Sequence, residues 1–256
     1  MTTSFSPSPF CRLFLLLLLI SGGCAAVPPI PPGEEAEATV VPEPVAGSEG
    51  VGFPIDVYDP WEGWNRSVYR FNAEFDQLIF LPVVETYRFL APKPVEESVD
   101  NVFTNLDNII TIANQFLQAK PFEAAQTFFR FAVNSTVGVL GLFDPASAIG
   151  VPKHKEDFGQ TLGVWGAGEG PYMVLPILGP SNLRDTTGLV VDRVAFALTD
   201  PLGASSIQTE YPPILALNII NSRARVDFRY YQTGSPFEYD LLRFLYTKKR
   251  QLDIAK

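Results

Sequence analysis

Beyond residue 50, apolar residues recur three and four positions apart almost without interruption, and strict alternation framed by turn residues is scarce, so the chain reads as helical. A first helix is predicted to begin after Asp59-Pro60 and to carry Trp61, Trp64, Val68, Phe71, Phe75, Leu78 and Ile79 on one side. It should break before Pro82, because proline lacks an amide donor and clashes with the preceding turn. A short helix over 83–90 should stop at Ala91-Pro92-Lys93-Pro94. The clearest amphipathic pattern spans 95–120, where Val99, Val102, Phe103, Leu106, Ile109, Ile110, Ala113, Phe116 and Leu117 form one face. Glu96, Glu97, Asp100, Asn101, Asn105, Asp107 and Asn108 form the other. Over 122–143 the apolar residues surround the axis, interrupted by Arg130, Asn134, Gly138 and Gly141, a pattern that means burial in protein or in lipid.

The stretch 168–180 holds Gly168, Gly170, Gly179 and three prolines and reads as loop or hairpin, followed by a helix from Ser181 or Asn182 to Leu198 with Ser181 as its N-cap. Two further helices are predicted over 213–233 and 237–253, the last ending on Lys248, Lys249 and Arg250. Basic residues there suit the helix dipole and solvation, with a phosphate contact as the alternative. No stretch beyond the leader reaches 18 apolar residues free of charge or proline, so no conventional spanning helix is expected. The composition is nevertheless as apolar as a protein core. Folding into a globule would hide that surface, whereas helices lying in one leaflet would expose it to acyl chains and turn polar faces inward.

The first 23 residues form a signal peptide: Arg12 precedes the apolar run Leu13–Ile20, too short to span a bilayer, and Ser21, Gly22 and Gly23 follow. Cys24 then stands where a bacterial lipobox places the acylated cysteine, although Ser21 replaces the usual aliphatic residue. An ordinary secretory cleavage would leave Cys24 as a lone thiol. Ala25 after it, in place of an aspartate, favours outer over inner membrane. Residues 24–50, rich in Pro, Glu, Ala and Gly and lacking aromatics, cannot bury enough surface to offset their ordering entropy and read as a tether. Residues 51–256 are expected to form one helical domain.

Composition narrows the function classes. Loss of the signal removes Cys11, so the mature chain has one cysteine and no internal disulfide. The formal charge is −9, or −10 without Arg12, which argues against nucleic acid. His154, the single histidine, excludes a His-rich metal cluster and reads as a solvated loop residue between Lys153 and Lys155. The patterns of serine hydrolases, P-loop enzymes, zinc proteases and Cys-x-x-Cys proteins are missing. Gly163, Gly166, Gly168 and Gly170 have the wrong spacing for a dinucleotide fingerprint. No enzyme, metal or cofactor is expected.

Several strings resemble the MlaA family of outer-membrane lipoproteins, also called VacJ. The first is Asp59-Pro60-Trp61-Glu62-Gly63-Trp64-Asn65-Arg66 leading into Tyr69-Arg70-Phe71-Asn72, and the second is Asn114-Gln115-Phe116-Leu117-Gln118 with Phe131 to Gly138. The third joins Phe158-Gly159-Gln160-Thr161-Leu162-Gly163 to Gly170-Pro171-Tyr172, Leu175-Pro176, Gly179-Pro180-Ser181 and Leu183-Arg184-Asp185-Thr186. A weaker fourth covers Ser222-Arg223-Ala224-Arg225 and the stretch from Arg243 to Arg250.

The resemblance implies an all-α ring of amphipathic helices lying in the periplasm-facing leaflet of a Gram-negative outer membrane around a polar channel. It implies removal of misplaced phospholipids from the outer leaflet and their transfer to a soluble periplasmic carrier, beside a trimeric porin, so that lipid asymmetry is kept. A structural lipoprotein that only scaffolds a porin is the rival reading. Tyr69, Phe71 and Asn72 become gating candidates, with aromatic packing and a turn-capping Asn as the plain alternative. Asn105, Asp107 and Asn108 suit a wet channel wall or a solvated face. Gly163, Gly170, Pro171, Pro176, Gly179 and Pro180 are expected to fix loop conformation. Arg184 and Asp185 read as an ion pair or helix start, with a headgroup contact by Arg184 as the alternative.

Overall fold

In the computed structural model, residues 57–200 and 203–256 are described; the expected signal peptide, Cys24 and the tether lie outside them. Helix α1, Glu62–Phe75, runs into a π-turn, Asp76–Phe80, and on into α2, Leu81–Leu90. The break expected before Pro82 does not occur. The Leu81 amide donates to the Asp76 carbonyl five residues back, and this wider turn moves backbone out of the way of the proline ring. Chain direction changes instead at Ala91, which takes the extended conformation that a residue before proline favours (φ −100°, ψ 111°).

Helix α3, Lys93–Leu117, is 25 residues long, and α4, Pro121–Thr136, packs against it. A short α5, Pro145–Ala148, is capped by Asp144, and an extended run leads to α6, Phe158–Val164. The loop-or-hairpin segment is a hairpin: β1, Tyr172–Leu175, pairs antiparallel with β2, Gly179–Asn182, in the register Tyr172↔Asn182 to Leu175↔Gly179. The chain ends in α7 (Leu183–Thr199), α8 (Ala204–Glu210), α9 (Pro212–Ala224) and α10 (Glu238–Ile254).

The structure departs from the sequence pattern at three further points. Asn182, not Ser181, caps α7: its side chain accepts from the Asp185 amide at 2.7 Å, while the Ser181 hydroxyl bonds to that of Thr186. The helix expected over 213–233 ends at Ala224, and turns follow as far as α10. Helix α8 was not foreseen, since its sequence ASSIQTE lacks an apolar repeat.

The polarity of the molecule is reversed. Among the described residues, 23 buried side chains are polar or charged against 11 apolar ones, while 41 large apolar side chains are exposed, far more than the small patches a soluble monomer carries. Helix α3 shows it best: its buried positions are Asn105, Asn108, Thr111, Asn114 and Gln115. The face expected to seek the core is partly bare, with Phe116 and Leu117 exposed.

Hydrogen-bonded ion pairs join the elements inside. Asp59 meets Arg243 of α10 at 3.1 Å, Asp76 of the π-turn meets Arg223 of α9, Asp144 meets Arg130, and Arg250 bridges Asp157 and Asp185. Such pairs add little over well-packed apolar residues, but removing one partner strands a buried charge at a loss of about 3–5 kcal/mol. The apolar cluster among the described residues is small and aromatic, built from Val68, Tyr69, Tyr172, Val174 and Tyr239. No helix among the described residues is long and apolar enough to cross a membrane.

Candidate functional site

Helices α3 and α7 face each other across a cavity of about 280 Å³ that the run 155–157 closes on a third side, with Gln208 of α8 and Asn218 of α9 at its border. One part of its wall is apolar, from Phe103, Leu106, Ile110, Leu189 and Phe196. The rest is charged, from Asp107, Lys155, Glu156, Asp157, Asp192 and Arg193. Its size is near the roughly 300 Å³ lower bound of small-molecule sites, room for a compact polar group with an apolar neighbour.

Three of the charged wall residues, Asp157, Glu156 and Asp192, are placed by local devices. Asp157 caps α6, accepting from the Gln160 amide at 2.9 Å, and both its oxygens take bonds from Arg250 at 2.7 and 2.8 Å. Burial would raise its carboxyl, but Arg250 more than offsets this and holds it below the usual range. Glu156 is met by Lys120 at 3.4 Å and by the Gln118 amide at 3.1 Å. Asp192 accepts from the Phe158 amide at 2.8 Å and Asn114 at 3.0 Å; burial outweighs both and raises its pKa. Asp107 opens onto the cavity with its side chain exposed, and the surrounding protein mass still raises its pKa by desolvation despite the nearby charges of Lys155 and Arg193.

Helices α6 and α7 cross at two glycines, Gly159 and Gly188, whose backbones are in contact. A Cβ on Gly188 would lie 2.2 Å from the Gly159 nitrogen, a distance no side chain tolerates.

Of the polar residues singled out from sequence as a channel wall, Asp107 lines the cavity, and the other candidate site residues lie elsewhere. Asn65 and Asn72, seven residues apart on α1, serve as a surrogate strand along β1. Asn65 donates to the Tyr172 carbonyl (3.1 Å) and accepts from the Val174 amide (2.9 Å), and Asn72 does the same with Leu175 (3.0 Å) and Ile177 (2.7 Å). Two helical turns advance about 10.5 Å and three strand residues about 10 Å, so the two carboxamides match the peptide spacing. Tyr69 is buried beneath, edge-on to Tyr230, Tyr231 and Tyr239, and donates to Glu238 at 2.7 Å. Phe71 points outward and stacks on Phe75.

Asn105 and Asn108 are buried one turn apart on α3; Asn105 bonds Ser135 at 2.9 Å, and the Nδ2 of Asn108 has no partner. They flank the wall residues Leu106 and Asp107 without lining the cavity. Gly163 lies in α6 against Ile254, Gly170 and Pro171 lead into β1, Pro176 sits in the hairpin turn, and Gly179 and Pro180 open β2. Gly179 has φ +83°, which favours glycine. Arg184 is buried and bonds Asp185 at 3.1 Å. Arg250, read as part of a solvated basic run, is instead tied into the interior.

Sequence reasoning passed over Lys155, Asp192 and Arg193. The one available signal was an Asp-Arg pair set inside the apolar run Leu189–Val191 to Ala197.

Fold and site together define a helical protein of reversed polarity built around an amphipathic cavity. Comparison with known proteins gives that class a family. The family model described as MlaA lipoprotein matches residues 57–253, and the chain belongs to that family. An uncharacterized protein of Rickettsia felis is 36% identical over 169 residues, 66% of this chain and 66% of that protein. The Escherichia coli protein named intermembrane phospholipid transport system lipoprotein MlaA is 36% identical over 138 residues, 52% of this chain and 55% of that one. The Haemophilus influenzae protein of the same name is 33% identical over 137 residues, with the same two shares. The chain thus matches about two thirds of the rickettsial relative and just over half of the two named lipoproteins. A solved chain from work on the structural basis for maintenance of bacterial outer membrane lipid asymmetry superposes with a TM-score of 0.67 at 29% identity, covering 77% of this chain and 100% of that one.

Proposed function

We propose that this chain is an outer-membrane lipoprotein of an intermembrane phospholipid transport system, removing phospholipids misplaced in the outer leaflet and passing them to a soluble periplasmic carrier. In this reading Cys24 is acylated and residues 24–50 tether the domain. The helices lie in the periplasm-facing leaflet beside a trimeric porin, and no covalent step is catalysed.

The observation that carries the proposal is the pairing of an apolar exterior with a charged, partly apolar cavity. Exposing two acyl chains to water is unfavourable by about 0.8 kcal/mol per methylene, so spontaneous desorption is slow. A route in which the headgroup enters the cavity between α3 and α7 while the chains stay along apolar surface avoids most of that barrier. Tyr69 and Asn72 would affect passage through the hairpin they support, and Phe71 through its contact with lipid.

The test is transfer from proteoliposomes containing the full chain and labelled phospholipid to a soluble acceptor carrier. Protein-dependent transfer is expected. Absence of transfer with porin binding intact would replace the proposal with a scaffolding role.

A further inference from the structure

Four charges on the cavity wall have no ionic partner among the described residues, and three of them, Asp107, Lys155 and Arg193, are exposed and free to meet a ligand. Glu156 has Lys120 and Asp157 has Arg250, whereas Asp107, Lys155, Asp192 and Arg193 enter no ion pair within 4.0 Å among the described residues. Two are anionic and two cationic, and they share one cavity with an apolar flank. Lys155 and Arg193 are near enough to act on Asp107 electrostatically, yet contact is not made. Opposite charges facing a confined space without closing on each other form a template for a ligand that carries both signs. A cavity meant for a purely anionic headgroup would instead place uncompensated acids against it, and like charges brought together in poor solvent are strongly unfavourable.

We infer that the cavity between α3 and α7 selects zwitterionic, primary-amine phospholipid headgroups over net-anionic ones, with Lys155 and Arg193 receiving the phosphate and Asp107 and Asp192 the ammonium. This rests on the reading of the cavity as the headgroup's route. Asp107 is the sharper determinant of the two acids: it makes no hydrogen bond to the described residues, whereas Asp192 is already shared between Asn114 and the Phe158 amide. An ammonium with three donors suits two carboxylates, whereas a trimethylated amine has no donor to offer. Phe103, Leu106 and Ile110, adjoining Asp107 on α3, would receive the glycerol end and the first methylenes.

The experiment uses the full chain in vesicles that hold phosphatidylethanolamine and phosphatidylglycerol with identical acyl chains. Two readings are taken: the composition of lipid bound to the purified chain by mass spectrometry, and the rate at which each lipid reaches an acceptor carrier. The ethanolamine lipid should be favoured by at least about fivefold in both, the scale on which one partly solvated charged hydrogen bond discriminates. Asp107→Asn should abolish most of that preference, and Asp107→Lys should reverse it. Because Asp107 holds nothing in the fold, both variants should unfold at the wild-type midpoint or above.

Equal binding and transfer of the two lipids, or a preference untouched by either substitution, would overturn the selectivity while leaving lipid transport intact. Failure of any lipid to bind or move would remove the transport reading and this inference with it. Soluble glycerophosphoethanolamine, the same head without chains, should not displace the bound lipid at equal concentration. Displacement would assign the site to a free metabolite and contradict the lipid assignment.

Discussion

Two asparagines on one helix replace a strand. Asn65 and Asn72 each give one donor and one acceptor to the outer edge of β1, and a buried peptide group left without its partner is destabilised by about 1–3 kcal/mol. Asn65→Leu leaves both the Tyr172 carbonyl and the Val174 amide unpaired and should lower unfolding free energy by about 2–4 kcal/mol in a detergent-solubilised denaturant titration. Gln at the same position, one methylene too long, should recover little of it.

Titration behaviour follows from the same interior. Burial would raise Glu238, but bonds from Thr233, Tyr69 and the Tyr231 amide outweigh it, and the carboxyl is held below its usual range, as Asp157 is by Arg250. A lowered folded pKa contributes stability that is present above the unfolded value of about 4 and is lost as pH falls through the folded value. Tyr69, Tyr239 and Tyr246 are raised, mainly by burial, with bonded carboxylates adding to it. Their contribution is complete below the unfolded value of about 10 and is lost as pH rises beyond it. Thermal midpoints should therefore fall at the acid end, below about pH 4, and at the alkaline end, above about pH 10. Glu238→Gln should flatten the acid limb; an unchanged limb would show that Glu238 does not contribute to it.

Among the elements, periodicity located the helices well, because α1, α3, α7 and α10 repeat apolar residues at helical spacing whichever way those residues face. The repeat carries no sign. The face of α3 that carries Asn105 and Asn108 reads as polar from sequence, and only the assembled structure places it inside. Pro82 misled for a related reason: proline ends an ordinary helical turn, and the π-turn that accommodates it has no sequence signature. The crossing of α6 and α7 was half legible, since Gly159 belongs to a glycine-bearing motif whereas Gly188 lies in an ordinary helical run. Gly188→Ala must separate two backbones and should be destabilised by about 2 kcal/mol or more by thermal unfolding, the scale of an overpacked core. Gly63→Ala on α1, where a Cβ meets nothing within 4 Å, should instead gain about 0.5–1 kcal/mol from helix propensity. Equal effects of the two substitutions would contradict the contact assigned to Gly188.

At the scale of the molecule, the cavity was invisible in sequence because its wall is drawn from α3, α7 and the run 155–157, whose wall residues are about 30 positions or more apart. Lys155, Asp192 and Arg193 acquire meaning only when folding brings them to one space. The apolar exterior explains why so high an apolar content coexists with no spanning helix among the described residues. It also makes the chain dependent on amphiphile, and removal of detergent without added lipid should cause association detectable by light scattering.

All three tryptophans of the chain lie on that exterior: Trp61 at 46% exposure, Trp64 at 68% and Trp165 at 56%. Their fluorescence in vesicles carrying spin labels at chosen depths along the acyl chain is the direct test of reversed polarity. The account predicts blue-shifted emission, strong quenching by labels in one leaflet's hydrocarbon, and protection from aqueous iodide. Emission typical of water, with iodide quenching and no effect of the acyl labels, would contradict it.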